Sequence, residues 1–468
     1  MKIHSYYNKY LLLICSIFMV SCEEFVEVDA PNNQLVRSQV FESEETALGA
    51  MQGIYNQLYL AAFSSGSRTS VTLLAGLSAD NIQNISTTNL SSMEFEQNEI
   101  QPDNTLNLDL WKSAYNMIYL TNSFLEGLEE STNLGDELKE QLQGEARFVR
   151  AFTYFQLVNI YGDIPLILST NYQVNELASR SPQNEIYEQI LEDLHSAEQS
   201  VASDYRNTER TGVNIFVVKA LLSRVYLYME DWQNAENFSS QVIAESGTYE
   251  ILDDLNQVFL ANSKEAIWQI SPIGGGGIVT HTNDGALFII DPVFSFFASI
   301  QLRDDFVARF EDDDIRRSNW IGFNESKNAY FSYKYKIRNS TMFPIQEYSM
   351  VLRLAEQYLI RAEARAQQGN LSEAIQDLDI VRERAGLEPV AQLNPEIEKD
   401  DLLVAILQER RKELFTEWGH RWLDLKRTNR ADQILSMDNP FWEATDVFYP
   451  IPSAERMKNP NLSQNNGY

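Results

Sequence analysis

Apolar residues recur at the spacing of an α-helix in several long stretches of the chain. In residues 138–161, one side of the helix is apolar and aromatic, while lysine, glutamate and arginine fall on the other sides. The pattern stops at Gly162, which we expect to end the helix in a left-handed conformation, and Pro165 favours an extended backbone at Ile164. Residues 138–161 are therefore predicted to form a helix with one buried face, after which the chain turns abruptly.

The same spacing predicts further helices in the first half of the chain. Ser43 is placed to cap a helix that runs to Ala61. Two more helices are predicted over residues 110–125 and 186–201. The segment 64–105 has a polar composition and is expected to be a loop. Helices therefore dominate this half of the chain.

Two segments, 223–238 and 362–377, match each other at a constant offset of 139 residues. In each copy a small residue of the first helix lies twelve positions before an alanine of the second, as with Ser223 and Ala235. Small residues at these positions let two helices approach closely, and the pattern resembles the tetratricopeptide helix-turn-helix unit. Gly369 is placed to make the turn in the second copy. The repeat predicts a scaffold of stacked helix pairs.

Residues 247–349 differ in character from the helical segments on either side. Residues 266–270 favour a strand, the glycines at 274–277 favour a mobile loop, and two aromatic-rich stretches flanked by proline follow. The glycine run is not followed by the Lys-Ser or Lys-Thr of a phosphate-binding loop, which excludes that motif. We therefore expect an irregular region of loops and short strands inserted into the helical scaffold.

Composition and charge exclude some classes of ligand. The 468 residues are 44% hydrophobic and 11% aromatic, enough for a large core, and the length favours two domains or a repetitive array. The net charge of −30 argues against nucleic acid or an anionic membrane surface as the main ligand, because both require basic patches. The densest basic stretch, residues 410–430, is interleaved with acidic residues and is interpreted as a salt-bridged helix face.

The N-terminus predicts export and lipid attachment. Lys2 and Lys9 precede an apolar run over residues 11–20 that is too short to span a bilayer, as in a secretory signal. The run ends at Cys22, in a setting that resembles a bacterial lipobox, so acyl chains on Cys22 would hold the protein on a membrane. A chance cysteine behind an ordinary signal peptide is the alternative. Cys15 would leave with the signal, so neither a disulfide nor a cysteine-ligated metal is expected.

The predicted organisation has an export signal, a tether and one domain built from a helical scaffold and an insertion. The acidic residues just after Cys22 resemble a surface-export signal, and they are equally compatible with a solvated tether. The boundaries are as follows: signal peptide 1–21; acidic tether 22–40; single domain 41–468, with helical scaffold 41–246 and 350–430 and inserted loop and strand region 247–349.

Several sequence blocks in this order resemble the SusD/RagB family of outer-membrane nutrient-binding lipoproteins, and the resemblance spans nearly the whole chain. The most distinctive block runs from Glu145 through an aromatic-rich helix into the Tyr-Gly-Asp-Ile-Pro-Leu of residues 161–166. Each block is weakly specific alone, but together behind a lipobox they are highly specific. The remaining blocks are 40–41, 110–122, 361–364, 409–414, 421–427, 449–452, 459–460 and 465–468.

The resemblance implies both a fold and a function. The fold is mainly α-helical, with about four tetratricopeptide-like helix pairs and an irregular loop and short-strand insertion that carries the ligand site. The function is non-catalytic capture of a nutrient glycan at the cell surface. The implied partner is a SusC-like TonB-dependent transporter in the outer membrane, over which the protein would act as a lid. A helical-repeat lipoprotein that binds peptides or another protein is the alternative.

Sugar recognition requires flat aromatic faces for the C–H side of a pyranose and polar side chains for its hydroxyls. The resemblance places such residues in the loop after the first helix and in the insertion. Trp320 is the preferred stacking platform because its neighbours in sequence are polar, with an edge-of-core tryptophan as the alternative. Core positions are also the alternative for the other aromatic candidates. The candidates are Asp80, Asn81, Asn84, Phe95, Trp320, Phe323, Tyr330 and Tyr333.

No pattern in the sequence favours catalysis or a cofactor. The acidic run 311–314 could be offered as glycosidase acids or a cation site, but neighbours on one loop seldom face each other across a glycosidic bond. The histidines of the mature chain, His195, His281 and His420, lack metal-ligand spacing. We expect no enzymatic activity, no cofactor and no metal.

Overall fold

A computed structural model describes residues 37–207 and 209–468, which are mainly helical. The predicted signal peptide, residues 1–21, and the tether up to residue 36 lie outside them. In chain order the α-helices are α1 (Arg37–Val40), α2 (Glu44–Leu60), α3 (Val71–Leu77), α4 (Leu90–Gln97), α5 (Thr105–Glu130), α6 (Asp136–Tyr161), α7 (Tyr172–Asn175), α8 (Gln183–Ser200), α9 (Ile215–Tyr228), α10 (Trp232–Ile243), α11 (Asn283–Phe288), α12 (Asp304–Val307), α13 (Ile315–Trp320), α14 (Leu354–Gln367), α15 (Leu371–Arg384), α16 (Val390–Leu393), α17 (Lys399–Glu413), α18 (His420–Arg427), α19 (Ala431–Asp438) and α20 (Ser453–Lys458).

Short strands form two sheets, most of them in the predicted insertion. One sheet has the order β1-β3-β5-β4 and the other pairs β2 with β6. The strands are β1 (Ile82–Asn84), β2 (Ala266–Ile270), β3 (Ile300–Leu302), β4 (Ile321–Asn324), β5 (Ala329–Ser332) and β6 (Ser349–Arg353). Turns of 3₁₀-helix lie at Leu255–Gln257, Pro272–Gly275, Ser295–Phe297 and Ala444–Val447.

The long helices form the scaffold of pairs that the sequence predicted. Helix α6 packs on α5 and α8, α10 packs on α9 and α14, and α14 also packs on α15 and α17. The links from α9 to α10 and from α14 to α15 are short, as in helical hairpins. The prediction of a mainly α fold with a tetratricopeptide-like scaffold and an irregular insertion is confirmed.

The two repeat copies agree in structure as well as in sequence. Helix α14 has the length of α9 at the offset of 139 residues, and α15 begins at the same offset from α10. Ser223 and Ala235 are fully buried, as are their counterparts in the second copy. Glu230 takes a φ of 59° where Gly369 takes 87°, so both turns enter the left-handed region. Only the second copy places glycine, the residue that favours this region, at the turn.

Helix α6 ends where the sequence predicted, but with a different backbone at Gly162. Its φ of 74° is positive as expected, whereas its ψ of −124° lies outside the left-handed helical region. The chain therefore turns directly into an extended segment, in which Ile164 pairs with Ser181 in an isolated antiparallel bridge. The predicted abrupt exit is confirmed.

The prediction of an uninterrupted polar loop over residues 64–105 is wrong. This segment contains α3, β1 and α4. Ser70 and Asn89 cap the two helices by accepting backbone N–H groups with their side chains. Six of the seven residues of α3 are buried, and so short an apolar run shows no helical period in the sequence.

Strand β2 joins the insertion to the scaffold. All five of its residues are buried, and it pairs antiparallel with β6, which leads directly into α14. Trp268 of β2 meets the rings of Phe148 and Phe152 of α6 edge-on, at centroid distances of 5.0 and 5.2 Å. The insertion is thus anchored on the most buried helix of the scaffold.

Candidate functional site

The four-stranded sheet brings together the two regions in which ligand residues were expected. Strand β1, from the segment after the first long helix, pairs antiparallel with β3 of the insertion. Strand β3 pairs with β5, and β5 pairs with β4, again antiparallel. Because each strand is antiparallel to its neighbour, β1 ends where β3 begins, and the turn between β4 and β5 lies at the other end of the sheet. The loop before β3 reaches this turn, where Ser295 and Ser326 are hydrogen-bonded. We call residues 85–88, 291–299 and 323–330 together the loop-end surface.

A small apolar cluster holds these loops together. Ile290, Ala329 and Phe331 are buried against one another, and Ile85 and Ala298 pack on them. Residue 85 also donates its N–H to the carbonyl of Ser299 at 2.8 Å. The loops of the surface are therefore fixed by a shared core.

Glycine 322 is required for the packing of the β4–β5 hairpin. A Cβ at Gly322 would lie 2.2 Å from the ring of Phe331, the residue opposite it in the register. The ring of Phe331 therefore covers the backbone of β4. This closely packed hairpin presents the next residue, Phe323, on the opposite face.

Phe323 and Tyr330 form a cross-strand aromatic pair on this hairpin. They are opposite each other in the register, and their ring centroids lie 4.8 Å apart at an interplanar angle of 53°. Phe323 is 48% exposed, and Tyr330 is half-buried. Both remain candidates for contact with a ligand, as the sequence analysis proposed.

The loop before β3 adds two aromatic rings that the sequence analysis did not single out. Phe294 and Phe296 are 52% and 65% exposed, with ring centroids 6.1 Å apart. Asp291 accepts the N–H groups of Val293 and Phe294 at 2.8 Å each, and these bonds lower the pKa of its carboxyl. The proline-flanked, aromatic-rich composition of residues 292–297 was the available signal.

Hydrogen bonds tie this aromatic loop to the β4–β5 hairpin. The hydroxyl of Ser326, in the hairpin turn, lies 2.9 Å from that of Ser295 and 2.8 Å from the carbonyl oxygen of the Asn324 side chain. Asn324 also accepts the N–H of Lys327 at 3.0 Å. The segments that carry the exposed rings are therefore joined at the turn of the β4–β5 hairpin.

A polar cleft of about 250 Å³ opens beside β1. Asn84, Ser86 and Thr87 line it from the loop-end side, and Arg303 and Phe441 line it from other elements. Phe441 is half-exposed and follows a proline in a turn, a setting that the sequence analysis did not consider. Asn84 was a sequence candidate, and its amide donates to Glu96 at 2.7 Å. The cleft supplies hydrogen-bonding groups on either side of Ile85, which packs on the small apolar cluster.

The structure contradicts Trp320 as an exposed platform. Its side chain is fully buried, and its indole N–H donates to the carbonyl of Leu255 at 3.1 Å. Lys334, Arg384 and Arg353 lie over the ring, at 4.9, 5.6 and 5.9 Å from its centroid. The polar surroundings come from charged groups in the interior, and the alternative of a core tryptophan is correct.

Those cations are neutralised by buried carboxylates. Arg353 contacts Glu265 at 3.0 Å, Glu413 at 2.5 Å and Glu417 at 2.9 Å. Burial alone would raise the pKa of Glu413, but the charges of Arg384, Arg353 and nearby cations hold it well below its ordinary value. The stretch 410–430 is salt-bridged as predicted, and much of it is buried rather than a surface helix face.

Asp80 and Asn81 are bound by arginines, and of the two only Asp80 lines the polar cleft beside β1. Arg421 binds the Asp80 carboxylate through two nitrogens at 2.7 and 2.9 Å, and Arg411 donates to the Asn81 side chain at 2.6 Å. Burial would raise the pKa of Asp80, but the bond from Arg421 and the charge of Arg411 lower it. These residues fix the start of β1 to helices α17 and α18.

Phe95 is contradicted as a ligand-facing ring because it is fully buried. It meets Tyr449 edge-on at a centroid distance of 5.3 Å. Tyr333 is partly buried, with the ammonium of Lys336 over its ring at 4.2 Å, and it packs on the small cluster beneath the loops. Neither residue offers a free face comparable to that of Phe323.

The acidic run 311–314 forms ion pairs instead of a carboxylate site. Asp314 is buried and binds Arg316 at 2.7 Å, while Glu311 binds Lys412 at 3.0 Å. In the described residues, His, Cys, Asp and Glu form no group that could hold a metal ion.

Cys22, the predicted lipid-bearing residue, lies outside the described residues. No helix in the described part of the chain has both the length and the apolar character that a bilayer span requires.

Comparison with known families matches most of the chain. Residues 24–227 match a family described as "Starch-binding associating with outer membrane", under the heading SusD-like, and residues 321–468 match the SusD family. A SusD-like protein of Formosa agariphila is 26% identical, and the match covers 98% of each chain.

Solved structures share the fold. A SusD superfamily protein of Bacteroides vulgatus superposes with a TM-score of 0.79 at 20% identity, over 92% of this chain and all of the other. Surface glycan-binding protein A of Bacteroides thetaiotaomicron, in complex with laminarihexaose, gives a TM-score of 0.75 at 20% identity, over 90% of this chain and 99% of the other.

Proposed function

We propose, since this chain belongs to the SusD/RagB family, that it binds an oligosaccharide at the loop-end surface and releases it chemically unchanged. The family is a glycan-binding one. The finer assignment to a surface and to a nutrient glycan is our proposal. The observation that carries it is the group of exposed rings on two segments joined by the Ser295–Ser326 hydrogen bond, Phe294, Phe296 and Phe323, with the half-buried Tyr330.

These rings have the chemistry that a pyranose requires. Each offers an apolar face to the C–H groups of a sugar, and the side chains of the adjacent cleft can meet its hydroxyls. The amide of Asn84 and the hydroxyls of Ser86 and Thr87 can both donate and accept hydrogen bonds. Binding alone needs no paired catalytic carboxylates, so we propose that the protein has no enzymatic activity.

We propose further that the protein is anchored to the outer membrane through acylated Cys22, with its domain facing the cell exterior. In this position it would pass glycan to a SusC-like TonB-dependent transporter in the same membrane. The family description, which names the outer membrane, supports the location. The anchor and the transporter rest on the lipobox-like sequence and on the family resemblance.

Glycan binding is tested with the chain lacking the signal peptide and Cys22, residues 23–468, on a panel of laminarin, amylopectin, xylan and alginate and their hexasaccharides. We expect isothermal titration calorimetry to detect at least one polymer, with its hexasaccharide recovered intact after overnight incubation. Shortened products would overturn the non-catalytic assignment. Failure of every polymer to bind would overturn the choice of ligand class, and peptide uptake would become the favoured alternative.

Anchoring is tested with Cys22→Ala in whole cells. We expect the variant to leave the membrane fraction, because no acyl chain can then be attached at residue 22. Ser21→Ala serves as the matched control and should stay in the membrane fraction. Membrane attachment of Cys22→Ala would contradict the lipid anchor.

A further inference from the structure

A second cleft, of about 430 Å³, lies on the helical scaffold. It is lined by residues of α5, by the segment around α7 and by α20 with the chain after it, so it shares no element with the loop-end surface. We call it the scaffold cleft. Its volume falls within the range of roughly 300–1,000 Å³ that is typical of small-molecule sites, whereas the polar cleft beside β1 is smaller.

The wall of the scaffold cleft contains an indole N–H that no acceptor in the described part of the chain binds. Trp111 is only 3% exposed and is fixed edge-on against Tyr161 at a centroid distance of 4.9 Å. Within the described part of the chain, its indole N–H makes no hydrogen bond, and this nitrogen is not among the atoms sealed from solvent. Because this nitrogen keeps some access to solvent and Trp111 lines the cleft, we infer that its N–H is available to an occupant of the cleft.

The rim of the cleft carries an exposed aromatic ring. Tyr172 is 73% exposed, and the carboxylate of Glu176 one helical turn later raises the pKa of its hydroxyl. Tyr115 lies deeper in the cleft and donates its hydroxyl proton to the carbonyl of Pro165 at 2.9 Å. The exposed ring of Tyr172 is therefore the surface at the rim on which a ligand can stack.

Charged groups of both signs surround these rings. Lys112 and Lys458 supply ammonium donors, and Glu176 and Glu455 supply carboxylate acceptors. Lys458 and Glu455 lie 2.7 Å apart, so their charges compensate each other. The cleft is therefore polar at its rim without a dominant charge.

We propose that the scaffold cleft is a second carbohydrate subsite, which binds one or two units of an uncharged glycan with Tyr172 as its stacking face and the Trp111 N–H as an internal donor. The cleft has both hydrogen-bond donors, on its lysines, and acceptors, on its glutamates, and sugar hydroxyls can pair with either. A peptide bound as an added strand would need an unpaired strand edge, and helices and irregular segments line this cleft. The inference rests on the proposed glycan-binding function. Two sites on one chain would bind a polymer more tightly than either site alone.

The test compares Tyr172→Ala, Tyr172→Phe and Tyr119→Ala with the wild-type chain. Tyr119 is the matched control, because it is a half-exposed tyrosine of α5 that does not line the cleft. The probes are laminarin, amylopectin and xylan, together with their hexasaccharides, measured by isothermal titration calorimetry. Phe323→Ala is measured in parallel to report on the loop-end surface.

We expect Tyr172→Ala to bind the recognised polymer roughly five- to tenfold more weakly, and the stoichiometry of its hexasaccharide to fall from two to one. Tyr172→Phe and Tyr119→Ala should match the wild type, because the first keeps the ring and the second leaves the cleft intact. The unfolding temperature of all three variants should be unchanged.

Other outcomes overturn the subsite or the function separately. If Tyr172→Ala binds polymer and hexasaccharide like the wild type while Phe323→Ala is weakened, the scaffold cleft is not a glycan subsite and the proposed function stands. If Tyr172→Ala loses only the transporter in co-purification, the cleft holds a side chain of a protein partner and the inference is wrong. If no polymer binds the wild-type chain, the proposed function itself fails.

Discussion

Trp320 and Phe323 lie three residues apart but belong to two different regions, a charged interior and an exposed surface. Trp320 is fully buried in a network of arginine, lysine and glutamate, whereas Phe323 is 48% exposed in the loop-end surface. Both rings have polar neighbours in the sequence, since Asn319 precedes Trp320 and Asn324 follows Phe323. The difference shows that polar neighbours along the chain do not identify an exposed ring, because the charged groups over Trp320 belong to other segments, at Lys334, Arg353 and Arg384.

The largest effect should come from removing the central cation of the buried network. Arg353→Met would leave Glu265, Glu413 and Glu417 without their shared partner, and breaking a buried ion pair in this way costs about 3–5 kcal/mol. We expect the free energy of unfolding, measured by urea denaturation, to fall by at least this amount. Lys399→Met, at an exposed position of α17, is the control. An unchanged midpoint would show that the network does not stabilise the fold.

Truncation of Trp320 should destabilise the protein while leaving ligand contacts intact. Trp320→Ala removes a fully buried ring, and such changes cost about 3–5 kcal/mol. We expect a lower unfolding temperature by calorimetry and, under conditions where the variant is folded, glycan affinity within twofold of the wild type. Loss of affinity at full stability would instead place Trp320 in the binding site.

These two regions also show what the sequence could reveal. The scaffold helices were predictable because the 3.6-residue period of their apolar positions is visible within one or two helical turns. The cap of α2 is equally local, since Ser43 accepts the N–H of Thr46, three residues later. The roles of Asp80 and Asn81 were not, because their partners Arg421 and Arg411 lie 341 and 330 positions later. Contacts over such separations leave no local pattern.

The candidate surface was predictable only where its contacts are local in the sequence. Phe323 and Tyr330 belong to one hairpin, so they are close because two strands that are adjacent in sequence pair with each other. Phe294 and Phe296 join them through a contact between two separate segments, the hydrogen bond of Ser295 with Ser326. The sequence indicated the regions, and tertiary pairing decided which rings remain exposed.

Asp284 is a buried carboxylate with no cation partner among the described residues, so its contrast with Glu413 should be measurable by varying the pH. Burial raises the pKa of Asp284 to about 7 from an ordinary value of 3.8, and Ser349 is hydrogen-bonded to it at 2.9 Å. The native state therefore holds a proton that the unfolded chain releases, so stability is full below about pH 4 and falls as pH rises towards 7.

Asp284→Asn should remove this component of the pH dependence. Between pH 4 and 8 we expect the variant to lose less free energy of unfolding than the wild type, by on the order of 2 kcal/mol. Urea denaturation at several pH values measures the difference. Asp438→Asn, at an exposed position of α19, provides the control. Parallel curves for Asp284→Asn and the wild type would contradict the raised pKa.

The smallest effect on stability, and the most direct test of the central claim, comes from the loop-end surface. Phe323→Ala removes an exposed ring and should change the free energy of unfolding by less than about 0.5 kcal/mol. Isothermal titration calorimetry with the glycan recognised by the wild type measures its affinity. We predict that Phe323→Ala binds the glycan about tenfold more weakly at unchanged stability. Wild-type glycan affinity in both Phe323→Ala and the Phe294→Ala, Phe296→Ala double variant would contradict the assignment of this surface.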